Sequence, residues 1–495
     1  MKAVLAIDQG TTSTRSLLID ETAKVRCAAQ IELKQYYPAD GWVEHDPEAI
    51  WRDVLATARE VLEQGQAMGL DIAAIGIANQ RETCVLWDRE SGKPIHPAIV
   101  WQDRRGADLC RRFIDAGLEP EVTERTGLLL DSYFTASKLA WLLDAIPSAR
   151  KDAEEGRLAF GTIDCFLLWR LTAGKVHATD ATNASRTLLF DIDKLAWCPD
   201  LCRMFGIPMQ ILPEVRENDG LFGMADKDIL GLSLPIAGMV GDQQGALIGQ
   251  GCLNRGDAKI TLGTGGFAML HTGGQICRSG QRMLATIACY SDGVASYAIE
   301  GAFFVAGAGV KWTRDKLRLV ASAAETEAMA RSLSDNGGVY LVPAFVGLGA
   351  PHWNPSARAM LTGMTFATGP EHIVRAALEC VAYQSADLLS AMALDSGVRP
   401  GELKVDGGMV ANDWLCQFLA DILDLDIVRP ANIETTALGA AFLAGASTGI
   451  WTGLPDAVSR LSPDRRFSPA LSSAERDRLL GGWHDALGHA LASSS

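Results

Sequence analysis

The chain has 495 residues, 48% hydrophobic and 21% charged, a balance that excludes a disordered protein and a length that exceeds one hydrophobic core, so two domains are expected. Its 60 Asp and Glu against 45 Lys and Arg leave a net charge of −15, which argues against a nucleic-acid partner while leaving room for a local phosphate site. Eleven scattered cysteines without a Cys-x-x-Cys pair, and eight histidines without a cluster, argue against a zinc site and point to reduced thiols in a cytoplasmic protein. No secretory signal is evident and no apolar run is long enough to span a bilayer, so no membrane insertion is expected.

The first informative stretch is Val4–Asp20, where two apolar runs flank Asp8, Gln9, Gly10, Thr11, Thr12, Ser13, Thr14 and Arg15. The runs read as strands and the polar segment as a hairpin tip. A glycine that lets backbone N–H groups approach closely, four hydroxyls, a cation and the Asp8 carboxylate suit a polyphosphate and its Mg²⁺; a plain polar turn is the alternative. Next, Ile72–Ala78 reads as a buried strand, followed by Asn79-Gln-Arg-Glu-Thr83, and Cys84–Asp88 as a further strand. Arg81 and Glu82 offer fixed donors and an acceptor suited to neighbouring hydroxyls, or else form an ordinary surface ion pair. Trp101, after Ala98-Ile-Val100, could wall a pocket or belong to the core.

Leu234–Val240 is an apolar strand ending in Gly241-Asp-Gln-Gln-Gly245, with a helix expected from about Ala246–Ile248. Asp242 at the mouth of a sheet could accept a proton from a substrate hydroxyl that Gln243 orients, or it could cap the helix. A second hairpin at Lys259–Leu270 repeats the plan of the first, with its tip at Gly263-Thr-Gly-Gly266 and Phe267 just beyond. Two such hairpins half a chain apart suggest an internal duplication, with domains 1–248 and 249–495 and a ligand cleft between them. Leu403–Asn412 reads as a strand running into a glycine turn before a helix at about Asp413–Leu423, and His484 and His489 as surface residues of a terminal helix. Neither a Walker A loop nor a dinucleotide fingerprint is present.

These segments, with Gly41-Trp-Val-Glu-His-Asp-Pro47, Ala98–Gln102, Thr182-Asn-Ala-Ser-Arg186, Val342-Pro-Ala-Phe345, Gly347–Pro351 and Val405-Asp-Gly-Gly408, resemble the FGGY carbohydrate kinases nearly end to end. That family shares the architecture of actin, hexokinase and the heat-shock-chaperone ATPases. The pairing of Asn79–Thr83 with Gly241–Gln244 resembles the members that act on glycerol. The resemblance implies an α/β fold of two ribonuclease-H-like domains with an interdomain catalytic cleft, and transfer of phosphate from ATP to glycerol with Mg²⁺. It implies that Arg81, Glu82, Tyr133, Asp242 and Gln243 hold glycerol, that Trp101 and Phe267 pack its carbon chain, and that Asp242 is the general base. Thr11, Thr12, Ser13 and Arg15 would contact phosphates from one side and Thr264, near Gly307, from the other. Gly408 and Asn412 would border the adenosine, and Asp8 would help hold Mg²⁺. A homodimer or homotetramer is also implied.

The chain departs from the family pattern in three places. Lys311 stands near the nucleotide where the family commonly has Gln. Asp226–Ser233 lacks the Arg and paired glycines through which bacterial members are inhibited by fructose 1,6-bisphosphate, so weak or absent inhibition is expected. Pro469–Arg478 matches only loosely the segment that binds a sugar-transport regulator in enteric members. The competing readings are a related kinase acting on erythritol or dihydroxyacetone, and a non-catalytic actin-like nucleotide-binding protein.

Overall fold

Near-continuous apolar runs such as Val4–Ile7 and Ala74–Ala78 form strands because both faces of their sheet are covered. In the computed structural model, which describes residues 1–493, strands Lys2–Gln9 (β1), Ser13–Asp20 (β2), Val25–Glu32 (β3), Asp71–Asn79 (β4), Gly223–Met224 (β5) and Pro235–Gly241 (β6) form one sheet. Its order is β5-β6-β4-β1-β2-β3, with β1, β2 and β3 an antiparallel meander and β4 and β6 parallel to β1. Strands Ala258–Leu262 (β7), Gly266–Gly273 (β8), Leu284–Ser291 (β9), Val294–Phe303 (β10), Glu402–Asp406 (β11), Asp426–Pro430 (β12) and Pro463–Phe467 (β13) form a second sheet. Its order is β9-β10-β8-β7-β11-β12-β13, with β7, β8 and β10 antiparallel neighbours, β9 flanking β10, and β11 and β12 parallel to β7. The plan of the first sheet is therefore repeated in the second, as the two hairpins suggested.

The first hairpin is tighter than the sequence reading. Asp8 and Arg15 were expected in the loop, but they face each other across the β1–β2 ladder, as do Gln9 and Thr14, which leaves Gly10–Thr12 as the tip. The Gly10 N–H closes the turn on the Ser13 carbonyl at 2.9 Å, so the hydroxyl residues after it continue as strand. The helix after β6 also differs. It spans Asp242–Gly249 (α2, following Pro47–Ala67, α1) and starts four residues before the expected Ala246, because Gly241 in extended conformation serves as its N-cap. Residue 248 thus lies inside this helix.

Helices are exchanged between the two halves. Helix Thr435–Ser447 (α3) follows β12 of the second sheet but packs on the first, its Ala437, Ala440, Ala441 and Ala444 against Val4, Ala6, Ala74, Ala78 and Ala237. Leu247 of α2 packs instead on Met269, Ala288 and Ala298 of the second sheet. The opposite face of the first sheet carries larger side chains, Leu5, Ile7, Ile75 and Ile77, beneath Ile50, Val54 and Val61 of α1. Small residues on the inner face let helix and sheet backbones approach: a Cβ on Gly76 would meet the Ala440 carbonyl at 2.2 Å, and one on Gly439 the Gly245 carbonyl at 2.0 Å.

All eleven cysteines are free, and all but Cys27 and Cys289 are buried. His484 and His489 are exposed on the terminal helix Ser473–Ala492, with His484 Nε2 3.0 Å from Asp387. Among the described residues no helix is long and apolar enough to cross a membrane.

The inner contact yields a direct test. A Cβ on Gly249 would sit 1.8 Å from the Thr435 carbonyl oxygen, a backbone atom that cannot turn aside. Gly249→Ala is expected to destabilise the protein by about 1–3 kcal/mol through overpacking. Gly481→Ala on the terminal helix, where a Cβ meets nothing within 4 Å, should be neutral or stabilising by up to about 1 kcal/mol. Thermal unfolding of both variants checks this; equal midpoints would show that α2 and α3 have room to spare.

Candidate active site

The loop after β4 is fixed before any ligand arrives. Asn79 and Asn183 exchange two amide hydrogen bonds of 2.9 Å, and Gln80 Nε2 donates to Gln9 Oε1 at 3.0 Å and to the Gly10 carbonyl at 3.1 Å. The loop is thereby tied to the first hairpin tip. Arg81 and Glu82 are only 3% and 1% exposed, which excludes the reading of a surface ion pair. Arg81 Nη1 and Nη2 donate to the two carboxylate oxygens of Glu300 at 2.6 and 3.0 Å, and its Nε lies 3.3 Å from Asp242 Oδ1. Glu82 Oε1 accepts from Arg186 Nε at 2.6 Å, and Arg186 Nη2 donates to Glu300 Oε1 at 3.0 Å. Glu82 has φ of 59°, in the left-handed region that a non-glycine residue enters at a cost of order 1–3 kcal/mol.

Asp242 is the first residue of α2 and not its cap. Its Oδ1 accepts the Gln243 N–H at 2.6 Å and its side chain stays 31% exposed, so the carboxylate has a face open to a ligand. Burial raises its pKa, with Arg81 and Lys259 opposing the rise. Gln243 Oε1 accepts from Lys259 Nζ at 2.5 Å. Trp101 and Tyr133 meet edge to face at 5.5 Å, and the Trp101 indole N–H donates to Thr11 Oγ1 at 2.9 Å, which links this wall to the first tip. Phe267 is half-buried at the start of β8, beside the second tip.

On the donor side, Thr12 is exposed, Thr11 half-buried and Ser13 buried. Arg15 Nη1 donates to Glu434 Oε2 at 2.8 Å, just ahead of α3. Asp8 is half-buried, and among the described residues no donor hydrogen-bonds its carboxylate. Burial lifts its pKa to about 7, Arg15 opposing and the Asp242 and Glu434 charges adding to the rise. A carboxylate opposite Arg15 at the base of the hydroxyl-bearing first tip suits Mg²⁺, which takes one or two carboxylates together with phosphate oxygens. At the second tip Thr264 is exposed, and the Ala306 and Gly307 N–H groups hold the Thr264 and Gly263 carbonyls at 2.8 and 2.9 Å. A Cβ on Gly307 would lie 2.7 Å from the Gly263 carbonyl oxygen. Lys311 is exposed on the helix Gly307–Asp315.

Gly408 is exposed, with no atom within 4 Å of a Cβ built on it. Asn412 caps the helix Asp413–Leu423, its Oδ1 accepting the Leu415 N–H at 3.0 Å and its Nδ2 donating to Thr326 at 3.3 Å, so both ends of its amide are already used within the protein. A surface groove of about 1460 Å³, lined among others by Tyr37, Trp51, Arg89, Lys93, His96 and Trp169, includes none of the predicted site residues.

Sequence reasoning assigned no role to Glu300, Lys259, Arg186 or Glu434. Glu300 and Lys259 carried the signal used for Asp8, a lone charge in an otherwise apolar strand.

The raised Asp8 pKa predicts a trade of stability against site chemistry. In the unfolded chain the carboxyl loses its proton near 3.8, in the folded protein near 7. Between these values the folded state binds more protons, so Asp8 lowers stability progressively as pH rises from about 4 to about 7. Asp8→Asn removes this burden. Its thermal midpoint should exceed that of the wild type at pH 8, and the gain should vanish below about pH 4. A gain that does not change with pH would mean that burial of the Asp8 charge is not its source.

Residues 3–249 match the N-terminal domain, and residues 258–448 the C-terminal domain, of the FGGY family of carbohydrate kinases. A glycerol kinase of Rhodospirillum centenum is 55% identical over 484 residues, covering 98% of this chain and 97% of its own. One from Gluconobacter oxydans is 52% identical over 99% of this chain and 96% of its own. The crystal structure of Plasmodium falciparum glycerol kinase with ADP superposes with a TM-score of 0.95 at 36% identity, covering 99% of this chain and 98% of that one. A xylulose kinase from Lactobacillus acidophilus shares the fold alone, with a TM-score of 0.89 at 21% identity over 100% of this chain and 99% of its own. With both family domains matched in order and relatives more than 50% identical over nearly the whole length, the chain belongs to the FGGY family of carbohydrate kinases.

Proposed function

We propose that this chain is an enzyme that transfers the terminal phosphoryl group of ATP, with Mg²⁺, to glycerol, forming ADP and sn-glycerol 3-phosphate. The observation that carries the reading is the half-exposed Asp242 carboxylate, set beside the buried Arg81–Glu82 loop and close enough to Asp8 for their charges to interact. Asp242 is the general base: it takes the proton of the attacking hydroxyl while Arg81, Glu82, Tyr133 and Gln243 fix the polyol and Trp101 and Phe267 border its carbon chain. Mg²⁺, when bound, neutralises charge on the phosphates. Arg15 and the hydroxyls of Thr11, Thr12, Ser13 and Thr264 hold the phosphates in line for a transfer that needs positioning and charge balance more than covalent help. Gly408 and the backbone near Asn412 border the adenosine, and Lys311 adds a cation on that side. Approach of the two tips would keep water, a competing acceptor, from the phosphoryl group. We assign the two phosphate-binding halves to residues 1–248 and 249–495, and a cytoplasmic homodimer or homotetramer belongs to the same reading.

A coupled ADP-release assay with glycerol, erythritol and dihydroxyacetone tests the proposal. Glycerol is expected to give the highest kcat/KM, and no turnover with glycerol above the ATPase background would overturn it. Asp242→Asn should lower kcat by roughly 10²–10⁴, the usual worth of a general base. Near-normal kcat in that variant would leave Asp242 as merely the first residue of a helix.

A further inference from the structure

Lys259 lies on β7, the strand that leads to the second tip, and is fully buried. Strand alternation puts Thr261 on the same face, and Lys259 Nζ donates to Thr261 Oγ1 at 2.9 Å and to Gln243 Oε1 at 2.5 Å. Burial lowers the Lys259 pKa, and the nearby Asp406 and Asp242 carboxylates oppose that fall by favouring its ammonium form. An ammonium has three donors and no acceptor, whereas a glutamine amide is a donor at one end and an acceptor at the other. Gln243 can satisfy Lys259 only with its oxygen, so its NH₂ group must point away from Lys259. The neighbouring residue on α2 is Asp242, whose half-exposed carboxylate can only accept a hydrogen bond when ionised.

We propose that Lys259 is a positioning residue that locks the amide polarity of Gln243, so that the acceptor site presents a carboxylate and an amide NH₂ side by side. The inference rests on the kinase reading above and deepens it. Such a pair reads adjacent oxygens of a polyol: one hydroxyl gives its proton to Asp242, while a second oxygen accepts from Gln243 Nε2. With Lys259 removed, the amide is free to turn over. Its oxygen would then compete with Asp242 for the hydroxyl proton, and the second substrate oxygen would face an acceptor. The lysine that imposes this polarity belongs to the phosphate-binding hairpin, so the hydroxyl recognition of one half is set by a side chain of the other.

A double-mutant cycle of Lys259→Met and Gln243→Ala tests it, with kcat/KM for glycerol, KM for ATP and the thermal midpoint measured for all four proteins. Lys259→Met is expected to lower kcat/KM for glycerol about tenfold or more while KM for ATP stays within about twofold. In the Gln243→Ala background the same substitution should change kcat/KM by less than about twofold, because no amide is left to orient. A full loss repeated in that background would overturn the inference. If Lys259→Met does not fold, Gln243→Glu carries the test: it keeps an oxygen on Lys259 but has no NH₂, so it should lose as much as Gln243→Ala, and wild-type kcat/KM in it would overturn the inference. A wild-type protein with no glycerol turnover would overturn the kinase reading itself, an outcome distinct from additivity in an active enzyme.

Discussion

The acceptor side of this site depends on one buried pairing, Arg81 with Glu300, because the two partners come from different sheets. Arg81 follows a strand of the first sheet, and Glu300 lies within β10 of the second, both almost without exposure. Burial alone would raise the Glu300 pKa; the Arg186 and Arg81 guanidinium groups bring it down to about 2, so it remains ionised. Removing one partner of such a pair leaves an uncompensated buried charge and typically costs about 3–5 kcal/mol. The pairing also orients: with its Nη groups held by Glu300, Arg81 has its Nε beside Asp242. Arg186, bonded to both Glu82 and Glu300, fixes the second acceptor residue in the same frame. The orientation of Arg81 and Glu82 is therefore defined only when the two halves are docked.

Docking at that depth is compatible with motion nearer the tips. The inner helices α2 and α3 meet backbone against backbone at Gly245, Gly249 and Gly439, which leaves little room there for a shift. Nearer the tips, the contact between halves is Arg15 with Glu434, whose side chains are 36% and 26% exposed. A pair so open to solvent is worth about 0–1 kcal/mol. The Arg15–Glu434 pair can therefore open at little cost, whereas Arg81 cannot leave Glu300. The gradient from a rigid base to a weakly held tip suits an enzyme that must admit a triphosphate and then exclude water.

The parts of this arrangement that were readable in the sequence are local ones. Alternation and turn residues marked both hairpins, and a carboxylate ending an apolar strand marked Asp8 and Asp242. Two boundaries were misplaced for identifiable reasons. Strand pairing extended through Ser13–Arg15 although their hydroxyls suggested a loop, and Gly241 capped a helix that was expected to start at Ala246. What sequence could not supply is pairing between distant residues. Glu300 is 219 positions from Arg81 and Glu434 is 419 from Arg15, and nothing in either neighbourhood names its partner. The exchange of α2 and α3 is likewise a property of topology. The run Ala437–Ala441 shows only that something must come close, not which sheet it meets.

Three residues of the site break local rules. Glu82 occupies the left-handed region, Asp8 carries a half-buried carboxylate that no hydrogen bond supports among the described residues, and Lys259 places an ammonium inside a sheet. Such departures are expected where a site must be prepared in advance of its ligand. Each has a chemical consequence here: a carboxylate placed by a left-handed turn, a carboxyl with a raised pKa, and a donor that fixes which end of the Gln243 amide it meets. Glu82 and Lys259 are held by partners that belong to the fold itself, Arg186 and Gln243. The polarity of the site is therefore established during folding, before either substrate is bound.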